Sequence, residues 1–456
     1  MSNDVVEIDL ALVDELTKRE TLALDRKHAR SLSYLEEARR HLPGGVSSSW
    51  QSWPPHPIYI DRGEASRVWD IDGNEYVDYH NGYGVMVMGH AHPKVVEAVN
   101  RRVALGTHFA QPTEDALPVA ENLAQRYRLP YWRFGNSGTE STLDACRIIR
   151  ALTGRKALIK IEGTYHGHHD SLMVSVFPTP EQAGPREHPR SVPQTLGMPD
   201  GIVEQIVCVP FNDAAAMEQA FAEHDGEIAG VVIEPAMSNC GLVLPDPGYL
   251  QAVIDIAHRN GALVAFDEVK TGFTLAWGGA VEAFDVVPDL VCLAKSLGAG
   301  LPCGAIGGTP DAMSMIRSGE LDQVGTFNGN PLTMAAARVN LEEILIPEEY
   351  KEFDRINAIL GRCEDVVAKY RLPASMKMLG AKGSIDWSPE PIHEYRDLWE
   401  IDDRVPQLAW LWQLNRGVFK SPGSKWESWT TSIVHTDADA QRYVDSFEEL
   451  AAAITA

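Results

Sequence analysis

Three segments of this chain read as buried β-strands that run into an ionisable residue: GVVIEP reaches Glu234, ALVAFDE reaches Asp267 and DLVCLAK ends at Lys295. Each apolar run is short and rich in β-branched residues, the pattern of a parallel strand covered on both faces. Between them lie stretches of helix-compatible length, GYLQAVIDIAHRNG after Glu234 and a shorter, glycine-interrupted one after Asp267. The expected class is therefore α/β, with a mostly parallel, doubly wound sheet. Parallel strands bring their carboxyl ends to one edge, where open α/β sheets bind ligands. A carboxylate and an amine buried together at that edge point to chemistry, because a lone buried lysine loses hydration unless it is neutral, paired or covalently modified.

Upstream, YWRFGNSGTES reads as a strand, Tyr131 to Phe134, that breaks into a small-residue turn before a helix beginning near Glu140. Ser137, Gly138 and Thr139 would let backbone N–H groups crowd around an anion at the positive end of that helix. Ser137 and Glu140 also fit a capping box, and both readings can hold at once. No GxxxxGK[ST] run occurs, which argues against a nucleoside triphosphate.

An anion cup, an acid at one strand end and a lysine at another are what pyridoxal phosphate requires: an imine-forming amine, an acid for its ring nitrogen and a phosphate site. At this point the chain resembles the class III aminotransferases, pyridoxal-phosphate enzymes of fold type I. The matching segments are PGGV (43–46), GHAHP (89–93), NSGTE (136–140), YHGHHD (165–170), FDEVKTGF (266–273), LAKSLGAGLPCGAIGG (293–308) and GTFNGNP (325–331). They run in family order from about residue 35 to the C-terminus. The wording of YHGHHD and LGAGLPCGAIGG is most similar to the glutamate-1-semialdehyde aminomutases and their aminotransferase relatives.

The resemblance implies a large cofactor-binding domain with a smaller α+β domain, and a role for each matched residue. Lys295 takes the imine, with Lys270 as its rival. Asp267 faces the ring nitrogen, Val269 packs beneath the ring and Tyr165 stacks above it. Ser137, Gly138 and Thr139 hold the phosphate, Glu234 joins the cofactor contacts, and Thr326 reaches the phosphate from the neighbouring subunit, so the active sites of a homodimer are shared. His166 is expected to hold Tyr165 and its loop. Metal is not expected, since His166, His168 and His169 with Asp170 lack a further ligand cluster of familiar spacing.

Along the chain, residues 1–91 are expected to form an N-terminal helical arm and a sheet segment of the small domain, 92–342 the large domain, and 343–456 the C-terminal small domain. The Pro- and Gly-rich run from Phe177 to Gly201 has no periodicity and reads as a long loop placed to gate the site. The formal charge of −24 argues against a general nucleic-acid or anionic-membrane surface. Six scattered cysteines without a C-x-x-C pair read as small buried hydrophobes. With neither a signal-peptide pattern nor a long apolar run, a soluble, cytoplasmic protein is expected.

Substrate choice departs from the aminomutase pattern. Where that pattern continues from PGGV to an arginine, this chain has SSSWQSW (47–53), and near the C-terminus it reads KWESW (425–429). Trp50, Trp53, Trp426 and Trp429, with Glu427, are expected around an aromatic-lined substrate pocket, unless an arginine such as Arg67 or Arg416 reaches it. The reading is an aminotransferase moving an amino group from an amine or amino acid, aromatic or bulky, to a 2-keto acid. The alternative is an isomerase of the glutamate-1-semialdehyde 2,1-aminomutase type.

Overall fold

The computed structural model describes residues 5–426 and 428–456; Glu427 lies outside the described residues. A seven-stranded sheet forms the centre: β1 (Tyr131–Gly135), β2 (Ala157–Ile161), β3 (Ile206–Val209), β4 (Ile228–Ile233), β5 (Leu263–Asp267), β6 (Leu290–Leu293) and β7 (Gly304–Gly308). Their order across the sheet is β1-β7-β6-β5-β4-β2-β3, and β7 alone runs antiparallel to its neighbours.

Alternate residues of these strands enter two different cores. Val231, Ile233, Val264, Phe266, Val291 and Leu293 face one, with helices α1 (Ala116–Tyr127) and α3 (Tyr249–Arg259). Val232, Ala265 and Cys292 face the other, with helix α2 (Gly138–Thr153). Burial on both faces is why these strands carry unbroken apolar runs. The glycine-rich β7 answers a tighter constraint: a Cβ at Gly304 would collide with the Ser137 carbonyl, and one at Gly307 with the Trp132 ring. Glycine there lets the turn before α2 close against the sheet.

The N- and C-terminal parts of the chain interlock. Strands Ile60–Glu64, Arg67–Asp70 and Glu75–Asp78 form an antiparallel sheet, and Val418–Phe419 joins its edge in parallel. Val13 and Leu16 of the helix Leu10–Lys27 pack in one core with Leu408 and Trp412. The run 177–201 is irregular apart from the short helices Pro180–Ala183 and Asp200–Val203. Arg186 fastens it by ion pairs to Glu394 at 2.7 Å and Asp213 at 2.8 Å. All six cysteines are buried and unpaired. Among the described residues no helix is long and apolar enough to cross a membrane.

Candidate active site

The carboxyl ends of β4, β5 and β6 open onto a cavity of about 390 Å³. Parallel pairing of these three strands brings Glu234, Asp267 and Lys295 to its wall together.

Asp267 ends β5 and is 4 % exposed. Its Oδ1 accepts the Val269 backbone N–H at 3.0 Å, and its Oδ2 lies 2.7 Å from Nδ1 of the buried His166. His166 thus braces the acid and, through the same contact, ties the segment that follows Tyr165 to the end of β5. Its Nε2 is buried with no hydrogen-bond partner among the described residues.

Lys295 follows β6 with φ at 47°. A non-glycine residue in this left-handed region costs of order 1–3 kcal/mol and persists where its surroundings over-determine it. Burial lowers the pKa of its amine, while Asp267 and Glu234 oppose that shift. Both Glu234 oxygens are engaged: Oε1 accepts the Tyr165 N–H at 2.9 Å and the Asn239 side-chain amide at 2.7 Å, and Oε2 accepts the Ser238 N–H at 2.8 Å. Glu234 therefore fixes the backbone that carries Tyr165.

Opposite these groups the α2 N-terminus supplies Ser137, Gly138 and Thr139 to the cavity wall. Ser137 caps the helix by accepting the Glu140 N–H at 3.2 Å, and the Glu140 carboxylate accepts the Asn136 N–H. The Ser137 cap forms as expected, while the Glu140 carboxylate takes the N–H of Asn136 rather than that of Ser137, so the capping box is not closed. A Cβ on Gly138 would lie 2.8 Å from the Val269 methyls, so glycine lets this turn approach the residue after Asp267. Val269 and Tyr165 line the same cavity.

A second chamber of about 250 Å³ adjoins the first, and Tyr165, Asn239, Lys270 and Lys295 line both. Its walls include Trp50, Trp53, Tyr83, Phe177 and Trp426. Trp50 meets Tyr165 edge-on with centroids 5.5 Å apart, and Trp426 stacks on Tyr395 at 5.2 Å. Trp429 does not take part. It is buried in the core beside Tyr443, so its expected place in the pocket is corrected. Of the run 177–201 only Phe177 lines the chamber.

Among the described residues no arginine lines either cavity. Arg67 pairs with Glu75 and Asp439, and Arg416 with Glu20 and Glu449, away from the chamber. Thr326 is exposed and lines neither cavity of its own chain. Glu427 lies outside the described residues.

Several site residues carry no signal that sequence alone could expose. Asn239 and Tyr83 belong to no motif of their own. Lys270 sits in a turn past the strand end, as its sequence position implies, yet it lines both cavities. Lys382 is buried behind them, donating to Thr430 Oγ1 at 2.7 Å. Burial and the charges of Lys270 and Lys295 hold its pKa well below the usual lysine range.

A mostly parallel sheet with a buried amine, a braced carboxylate and a helix N-terminus at its carboxyl edge defines the fold-type I class of α/β enzymes. The family model for class-III aminotransferases matches residues 49–451, and the chain belongs to that family. A glutamate-1-semialdehyde 2,1-aminomutase 2 of Brevibacillus brevis is 35 % identical over 423 residues, covering 91 % of this chain and 97 % of the relative. Among solved structures, an omega-transaminase from Sphaerobacter thermophilus aligns with a TM-score of 0.88 at 31 % identity, over 93 % of this chain and 98 % of that one. A glutamate-1-semialdehyde aminomutase from Pseudomonas aeruginosa PAO1, in complex with PMP, aligns with a TM-score of 0.90 at 27 % identity, over 98 % of this chain and 100 % of that one.

Proposed function

We propose that this enzyme transfers an amino group from an aromatic or bulky amine or amino acid to a 2-keto acid in two half-reactions. The cofactor is pyridoxal phosphate. When bound, it supplies an aldehyde that captures amines and a cationic ring that withdraws electrons from the substrate carbon.

The residues fit that group. The α2 N-terminus at Ser137, Gly138 and Thr139 offers backbone donors and positive dipole to a phosphate. Asp267, held by His166 and the Val269 N–H, keeps a proton on the ring nitrogen through a charge-assisted hydrogen bond. Val269 and Tyr165 line the same cavity and would hold the two faces of the ring. Lys295 Nζ, made more readily neutral by burial, anchors the cofactor at rest and then moves a proton between the substrate carbon and the cofactor's aldehyde carbon. Glu234 acts by holding Tyr165 and Asn239 in position.

The active unit in this reading is a homodimer in which Thr326 completes the partner's phosphate site. Residues 92–342 form its large domain; 1–91 and 343–456 supply the smaller one.

The observation that carries the transferase reading is the aromatic chamber beside Lys295, without an arginine among its described lining residues. A second reading, migration of the amino group within one molecule, draws on the curated relatives, which are named as glutamate-1-semialdehyde 2,1-aminomutases. That comparison favours the isomerase over transfer between two molecules; the chamber favours transfer. The test is the need for an acceptor. Aromatic β-amino acids, aromatic D- and L-amino acids and arylalkylamines are offered with and without pyruvate. Acceptor-dependent turnover supports transfer. Efficient isomerisation of glutamate-1-semialdehyde without acceptor, with no aromatic turnover, establishes the second reading instead.

A further inference from the structure

Lys270 stands three residues beyond Asp267, where the cofactor cavity meets the aromatic chamber. Its ammonium donates one hydrogen bond, to the Ser238 carbonyl at 2.7 Å, and the Tyr83 ring centroid lies 5.9 Å away. No carboxylate among the described residues pairs with it within 4.0 Å. An ammonium has three N–H donors, so two remain for whatever enters the junction.

The surroundings leave this charge under-compensated. Burial first, then repulsion from Lys295, pushes the pKa of Lys270 down to about 8. Lys382 adds a third amine behind it. The two nearby carboxylates are already engaged, Glu234 by three N–H donors and Asp267 by His166 and Val269. Lys295 serves the cofactor in the reading above. Among the described residues no arginine lines either cavity, and of the lysines that do, Lys270 is the one left to meet an anionic group of the substrate.

We propose that Lys270 anchors the carboxylate of the donor, so that the chamber selects aromatic amino acids over arylalkylamines. This rests on the amino-transfer reading of the site and names its substrate class. The carboxylate pairs with the ammonium at the junction, while the aromatic group lies among Trp50, Trp53, Tyr83, Phe177 and Trp426. A flat ring gains there from face and edge contacts beyond its burial.

The test compares wild-type, Lys270→Met and Lys270→Arg holoenzymes by calorimetry, with 3-phenylpropanoate and its uncharged isostere 3-phenylpropanamide as unreactive probes. Cofactor absorbance establishes that each variant is loaded. Losing a charge-assisted partner should weaken 3-phenylpropanoate binding about 10- to 100-fold in Lys270→Met. The amide should change by less than about threefold, and Lys270→Arg should recover most of the loss. In kinetics, KM for 3-amino-3-phenylpropanoate should rise at least tenfold more than KM for 1-phenylethylamine. Equal weakening of both probes, or no weakening of the carboxylate, overturns the assignment. If the wild type turns over neither aromatic donor, the amino-transfer reading fails, while the calorimetric difference still decides the anchor by itself.

Discussion

His166 Nδ1 lies 2.7 Å from Asp267 Oδ2, and both side chains are buried. The contact fixes the acid's orientation. Removing either member breaks the contact and tests the role proposed for Asp267 at the ring nitrogen. A hydrogen bond to a charged group contributes about 1.5–3 kcal/mol, or roughly ten- to more than hundredfold in rate when it acts in the transition state. Asp267→Asn should lose at least that factor in the first half-reaction, and His166→Ala a smaller one. Stopped-flow absorbance checks both; near-wild-type rates in loaded Asp267→Asn contradict the assigned role.

Lys295 and Lys270 line the same cavity, so the covalent anchor can be tested directly. The purified enzyme should be yellow. Borohydride reduction followed by peptide mapping should place the cofactor label on Lys295, and Lys295→Ala should abolish both label and turnover. A label on Lys270 reverses the assignment.

Thr326 is exposed beside Val324, 81 % exposed, and Phe327, 58 % exposed. Such a surface suits a subunit contact that buries these side chains. Dilution should release cofactor and activity together, and Thr326→Ala should raise the Kd for cofactor more than KM for the donor. An active monomer in analytical ultracentrifugation contradicts the shared site.

Stability should fall in mild acid. Burial lowers the pKa of His435 from 6.5 to about 4, against the raising influence of Asp439 and Asp78. Its Nδ1 accepts the Ser432 N–H at 3.0 Å, which fits a neutral ring. Below pH 6.5 the unfolded chain therefore binds a proton that the folded one resists. The contribution is complete above that pH and fades as the pH drops towards the folded value, by about 1.4 kcal/mol for each pH unit crossed. His435→Gln should flatten the decline of the urea midpoint between about pH 7 and pH 5; an unchanged slope removes His435 as its source.

The strands that lead to Asp267 and Lys295 were legible because burial on both faces writes an unbroken apolar run into the sequence. β7 was not: GAIGG has no strand signature, and its glycines answer to Ser137 and Trp132, far away in sequence. Trp426 and Trp429 look alike in KWESW, yet pairing of Trp429 with Gly383 draws one into the core while the other lines the chamber. The directions of Lys270 and His166 were likewise invisible, because side chains in a turn or loop point where tertiary packing sends them.

The most direct test of amino transfer is a single half-reaction without acceptor. Stoichiometric 3-amino-3-phenylpropanoate is mixed with the loaded enzyme, and the cofactor absorbance and carbonyl product are followed together. Amino transfer predicts loss of the yellow colour and one carbonyl product per active site, with colour restored on adding pyruvate. No colour change and no product, while glutamate-1-semialdehyde is isomerised over many turnovers in the same preparation, would contradict it.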